Sequence, residues 1–218
     1  MNFLAHLHLA TLSESSLLGN LMADFVRGDP SQQWDVPVAD GIRLHRRLDS
    51  MTDQLPEVRA ARQLFRQETR RVSPVTLDVI WDHFLARDWN LYCPDIALGD
   101  FCDQAEQQIR PFLTRTPAEF RALNQWMWPE RWLEKYARKE RLEVVLQGMA
   151  KRRPKLEKLF HPYQDFTDNY AATAQPFSES YPLLIQLATD NTLTKPAPDF
   201  ILLSPRNPTL FPRAGRSP

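Results

Sequence analysis

Residues 78–87 read DVIWDHFLAR, and the fold turns on how that run is placed. Val79, Ile80, Trp81, Phe84 and Leu85 give it enough apolar surface for a helix inside a core. Asp78, Asp82 and His83 pull the other way, because ionisable groups are costly to bury unless they are paired or bound to a metal. Ser73-Pro74 stands just upstream, a capping residue followed by proline, and predicts a helix starting there.

The same punctuation recurs outward from this stretch. Thr116-Pro117-Ala118-Glu119 reads as a helix start with a capping box, and Pro129 opens a run with Trp132, Leu133, Tyr136, Leu142 and Val145 along one face. Ser13–Phe25, Val38–Thr52, Glu57–Arg70, Ile96–Ile109 and Phe166–Thr189 read as further helices. No alternating run is long enough to force a strand, and six glycines in 218 residues argue against a turn-rich β-architecture or a Gly-rich nucleotide fold. The expectation is one all-α domain over residues 1–193. A Pro-rich extended or disordered tail over 194–218, TKPAPDFILLSPRNPTLFPRAGRSP, holds six of the eighteen prolines.

Lys plus Arg and Asp plus Glu both number 27, so no global field draws the chain to nucleic acid or membrane, and charge recognition must be local. The opening MNFLAHLHLA lacks a basic leader and is interrupted by His6 and His8, so it is read as neither a signal peptide nor a membrane span. Cys93 and Cys102 lack zinc-type spacing. The expected compartment is the reducing cytoplasm.

Ionisable residues gather in four apolar settings. Asp82 and His83 lie in the opening stretch. His45, Asp49 and Asp53 recur at i, i+4 and i+8 along GIRLHRRLDSMTDQLP, a continuous helical stripe. Asp24 sits in GNLMADFVRG, and His6 and His8 sit in the N-terminal run, where two residues' separation keeps them off a shared face. Each could be an ordinary solvated or packed group; the recurrence favours a metal site. Imidazole with carboxylate suits Mn²⁺, Fe²⁺ or Zn²⁺, and such an ion activates water and screens phosphate, which points to hydrolysis of a phosphate ester. Arg27, Arg46 and Arg47 are the expected phosphate holders.

The segments MNFLAHLHLA, GNLMADFVRG, GIRLHRRLDSMTDQLPEVRAAR, VIWDHFLARDW and LNQWMWPERWLEKYA, in that order, resemble the acyl carrier protein phosphodiesterase (holo-acyl-carrier-protein hydrolase) family over roughly residues 1–190. The resemblance implies an all-α fold related to the HD-domain metal phosphohydrolases, here with the adjacent pair reversed as Asp82-His83. It implies Mn²⁺-dependent hydrolysis (Mg²⁺ or Fe²⁺ as alternatives) of 4′-phosphopantetheine from holo-acyl carrier protein. Asp24, His45, Asp82 and His83 are then the expected ligands, with Asp24, Asp82 and His83 catalytic and His6, Asp49 and Asp53 in reserve. Acyl carrier proteins are acidic, and residues 131–158 hold ten Lys/Arg against four Glu. Arg152, Arg153 and Lys155, with Arg66 and Arg70 from RQLFRQETRR, are the expected partner-binding residues. The competing readings are an HD-type phosphohydrolase for nucleotides or another small phosphate ester, and a non-catalytic helical adaptor.

Overall fold

The computed structural model describes residues 1–152, 157, 158, 160–190, 192 and 193. In chain order the helices are α1 (Phe3–Leu12), α2 (Leu17–Met22), α3 (Val36–Gln54), α4 (Pro56–Arg62), α5 (Ser73–Arg87) and α6 (Trp89–Tyr92). They continue with α7 (Leu98–Ile109), α8 (Ala118–Met127), α9 (Trp132–Lys135), α10 (Glu140–Arg152), α11 (Pro162–Asp168) and α12 (Tyr170–Thr189). Short 3₁₀ turns lie at Ala23–Phe25, Pro30–Gln32 and Arg70–Val72, and a longer 3₁₀ stretch spans Arg110–Arg115. Among the described residues no strand forms, as the sequence predicts, and no helix is long and apolar enough to cross a membrane.

Proline sets several helix starts. Pro37, Pro56, Pro74 and Pro162 each occupy a first turn, where the missing N–H would have had no helical partner. Several predicted boundaries shift for local reasons. The Ser13–Phe25 helix begins only at Leu17, because Glu14 is left-handed at φ 50° and the Ser16 hydroxyl then caps α2 by accepting from Gly19 N. Ser73 is inside α5 and donates to Arg70 O, so it does not cap. Thr116 likewise donates to Leu113 O, so the expected capping box at Glu119 is absent. The run from Pro129 is broken into α9 and α10, its start delayed by Arg131 at φ 52°. The Phe166–Thr189 helix is two, parted at Asn169, whose amide donates to Asp165 O and Leu64 O.

α1 is buried from Leu4 to Ala10, residue by residue, His6 and His8 included, so it is enclosed on every side. It contacts α2, α3, α5 and α12, so it is the central rod of the domain. The buried apolar residues run from Met1 to Leu193 as one continuous core. Its aromatic heart joins α5 to α11 and α12: Phe84 lies 5.8 Å from Phe177 and 6.2 Å from Phe166, and Trp81 lies 5.5 Å from Phe177, measured between ring centres. Truncating a buried Phe of this kind costs about 3–5 kcal/mol.

The contact that matters most for the site is α2 on α3. Gly19 and Gly41 face each other there, and a Cβ on either would strike backbone of the opposite helix, at Val38 O or Ser16 O. Glycine at both positions lets the backbones close to a distance that side chains would forbid. The predicted tail, 194–218, lies outside the described residues, as do Arg153, Lys155 and the side chain of Arg152.

Candidate metal centre

α1 and α3 cross so that the His6 and His45 rings stack, with centres 3.6 Å apart and planes 17° from parallel. Asp49, one turn beyond His45 on α3, closes the group. Its Oδ1 is 3.0 Å from His6 Nε2, and its Oδ2 is 3.2 Å from His45 Nε2. The i, i+4 spacing read from the sequence makes this geometry possible. Asp24, on the 3₁₀ turn after α2, approaches from the rim, with Oδ1 3.5 Å from His45 Nε2 and a side chain 59% exposed. The Met1 amino group is buried beside them, 3.2 Å from Asp49 Oδ1 and 2.7 Å from Asp78 Oδ1.

The electrostatics follow from that packing. Burial, reinforced by the neighbouring His45, pushes His6 down to about 4 despite its hydrogen bond with Asp49. Burial also opposes charge on His45, but Asp24 and Asp49 outweigh it and lift His45 to about 9. For Asp49, burial favours the neutral acid, yet contact with His45, His6 and the Met1 ammonium holds it well below the usual carboxylate range. One imidazole neutral, one charged and an ionised carboxylate share a few ångströms.

His6, His45 and Asp49 each offer a ligand atom within 4.8 Å of the others'. His45 Nε2 is buried between two carboxylates without making a well-aligned hydrogen bond to either. A buried nitrogen left unsatisfied among carboxylate oxygens suits a cation that all of them could bind, and two imidazoles with carboxylates are a donor set for Mn²⁺, Fe²⁺ or Zn²⁺. The residues present therefore fit a divalent metal.

Of the four residues expected as ligands, the structure brings Asp24 and His45 together and places Asp82 and His83 elsewhere. Each of these two has hydrogen-bond partners of its own. Asp82 points at the start of α1, where its oxygens accept from Leu4 N at 2.8 Å and Ala5 N at 3.0 Å, satisfying donors that a helix N-terminus leaves open. His83, about 100° round α5, bonds Tyr136 O at 2.7 Å through Nδ1 and the Tyr170 hydroxyl at 2.8 Å through Nε2. Asp82 and His83 thus bond different parts of the fold, the start of α1 and the Tyr136–Tyr170 pair. His6 and Asp49, held in reserve by the sequence reading, sit at the centre. Asp53 pairs with Arg62 at 2.5 Å, and His8 is a core group bonded to the Tyr181 hydroxyl at 2.8 Å.

The arginines divide similarly. Arg46 donates to Val26 O at 2.6 Å and Gly28 O at 2.8 Å, tying down the loop after Asp24, and Arg47 donates to Leu193 O. Arg27 is exposed. Arg66 is 2.5 Å from Asp165 and Arg70 donates to Phe65 O at 3.2 Å, so both brace the fold near α11. The Met1 amino group and Asp78 were missed as neighbours of the centre. No spacing in the sequence signals them, since their meeting depends on how α1 packs between α3 and α5.

The family model described as acyl carrier protein phosphodiesterase matches residues 1–184. Among curated proteins of that name, one from Yersinia enterocolitica serotype O:8 / biotype 1B is 52% identical over 193 residues, covering 88% of this chain and all of the relative. One from Pectobacterium atrosepticum is 54% identical and one from Escherichia coli O6:K15:H31 is 49% identical, over the same shares. No solved structure matches the chain at a significant level. Matched over residues 1–184, a span that contains His6, His45 and Asp49, the chain belongs to the acyl carrier protein phosphodiesterase family.

Proposed function

We propose that the chain hydrolyses the phosphodiester between 4′-phosphopantetheine and the carrier serine of holo-acyl carrier protein, releasing the apo carrier. The observation that supports it best is the His6–His45–Asp49 cluster, set in the segments that carry the family motifs. A divalent cation, Mn²⁺ by resemblance, would be held by His6, His45 and Asp49, with Asp24 closing the set. When bound it supplies Lewis acidity, screening phosphate charge and acidifying water. Asp49, ionised and close to Nε2 of both imidazoles, orients the two rings. Asp24 is the exposed carboxylate at the rim, suited to take the proton from the attacking water at Oδ1 as the water oxygen bonds to phosphorus, and to pass it to the serine Oγ as the phosphorus–Oγ bond breaks. Arg27, exposed on the loop beyond Asp24, would meet non-bridging phosphate oxygens.

The test is conversion of purified holo carrier protein to the apo form, followed by mass, together with metal analysis of the enzyme. Turnover lost on chelation and restored by Mn²⁺ supports the reading. A metal-free protein that converts the carrier at full rate would refute the metal's part, and one that never converts it would refute the activity.

A further inference from the structure

We propose that Arg46 is a positioning residue for the reaction, strapping the loop after Asp24 to α3 so that the Asp24 carboxylate stays over His45. The inference rests on the part Asp24 takes in the phosphodiesterase reading above. The Asp24 side chain does little to hold itself. It is 59% exposed, and its one polar contact among the described residues is the 3.5 Å approach of Oδ1 to His45 Nε2, without the alignment of a hydrogen bond. Its carboxylate therefore stays at His45 only while the backbone beneath it is held in place.

That backbone is bonded at every step. The turn carrying Asp24 is closed by Val26 N donating to Ala23 O at 3.2 Å, and Phe25 packs on Phe120 with ring centres 5.4 Å apart. Beyond the turn, Arg46 Nη2 donates to Val26 O at 2.6 Å and Nη1 donates to Gly28 O at 2.8 Å. A planar guanidinium engaged through both terminal nitrogens fixes the orientation of the loop as well as its distance from α3. The carbonyl between them, Arg27 O, accepts from Gln33 Nε2 at 2.8 Å. Gly28 is left-handed at φ 75°, with nothing within 4 Å of a Cβ built there, so the position asks for glycine's backbone and not for space. The guanidinium that the sequence assigns to phosphate is bonded to backbone instead.

Position on α3 links the strap to the metal centre. Arg46 directly follows His45, so adjacent residues of one helix meet the Asp24 carboxylate and the backbone two residues beyond it. Any movement of the loop on α3 is then a movement of Asp24 relative to His45. His6, His45 and Asp49 hold one another across α1 and α3 through contacts in which Arg46 has no part. Loss of the strap should release Asp24 alone and leave the other three donors in place. A side chain that served only general stability would not single out Asp24.

The experiment is a double-mutant cycle in the full chain between Arg46→Ala and Asp24→Ala, read by the heat of Mn²⁺ binding, by turnover of holo carrier protein and by thermal unfolding. Arg46→Ala should weaken Mn²⁺ binding several-fold and lower kcat about tenfold, the low end of losses for a residue that orients a ligand. With Asp24 already replaced, the same change should alter either quantity by less than about twofold, the ordinary error of additivity. Arg46→Lys, with one nitrogen for two carbonyls, should fall between wild type and Arg46→Ala. Gly28→Asn should keep wild-type values and Gly28→Val should resemble Arg46→Ala, since Asn tolerates the left-handed region and Val does not. These last variants carry the test if Arg46→Ala does not fold. Equal losses from Arg46→Ala with and without Asp24 would make Arg46 a general brace and overturn the proposal. So would unchanged Mn²⁺ binding and turnover in Arg46→Ala. If the wild-type chain binds Mn²⁺ and never converts holo carrier, the activity is refuted and the Mn²⁺ cycle by itself decides the strap.

Discussion

His6 and His45 stack face to face at 3.6 Å, yet burial and its charged neighbour hold His6 neutral while Asp24 and Asp49 hold His45 charged. Two buried imidazolium rings at that distance would repel, so the pair accommodates one positive charge. A divalent ion bound by both rings and Asp49 would replace that proton and satisfy the open nitrogen edges together.

Asp49→Asn and His6→Ala should each reduce bound metal to under about a tenth of the wild-type stoichiometry. Both should lower turnover of holo carrier protein by at least about 10²-fold, beyond the 10–100-fold expected for a residue that merely orients a ligand. Elemental analysis and a holo-to-apo assay check this. Full metal occupancy in both variants would remove these residues from the centre.

Metal should also stabilise the fold. At a free Mn²⁺ concentration near 100 times its dissociation constant, the gain is about 2.7 kcal/mol, or roughly 5–10 °C in melting temperature for a chain of this size. The comparison is a thermal scan of chelated protein with and without added Mn²⁺. The shift should vanish in His45→Ala.

Asp82 predicts a pH dependence. Burial raises it to about 7 against the pull of the Leu4 and Ala5 amides, so the folded chain holds a proton that the unfolded chain releases near pH 4. The folded state then binds more protons through that interval, and stability falls as pH rises from about 4 to about 7, by about 3–5 kcal/mol in total. Denaturant titrations across this range should show that slope in wild type and lack it in Asp82→Asn. Matching slopes in the two proteins would show that Asp82 is ionised throughout.

His83→Ala should behave as a core defect. Removing its bonds to Tyr136 O and the Tyr170 hydroxyl should cost about 2–4 kcal/mol while metal stoichiometry stays at the wild-type value. Loss of metal without loss of stability would return His83 to the centre.

Gly41→Ala tests the seam. The added methyl would meet Ser16 O, so α2 must move away from α3, costing about 1–3 kcal/mol and carrying Asp24 away from His45. A fall in turnover out of proportion to the stability loss is expected, read from kcat and from the melting temperature of the same sample.

The all-helical class was legible because proline and apolar periodicity are local signals, and most helix starts obey them. The stripe His45–Asp49 was legible for the same reason, since i, i+4 spacing is a property of one helix. What faces that stripe was not. Asp82 and His83 look like ligands in sequence because they are ionisable and embedded among apolar residues. In the fold one satisfies the open end of α1 and the other joins Tyr136 to Tyr170. The break at Arg131 was equally hidden, because Trp132, Leu133 and Leu142 keep an apolar rhythm across a backbone that turns left-handed.

The encasement of α1 has a consequence for how the protein is made. His8 emerges early from the ribosome, yet its hydroxyl partner Tyr181 is 173 residues later. At about 5–20 residues per second, the ribosome needs roughly 10–35 s to deliver that partner. Throughout that time a helix buried from Leu4 to Ala10 lacks part of its cover, so nascent protein should depend on chaperones at α1, and a ribosome stalled before α12 should leave a product prone to aggregation.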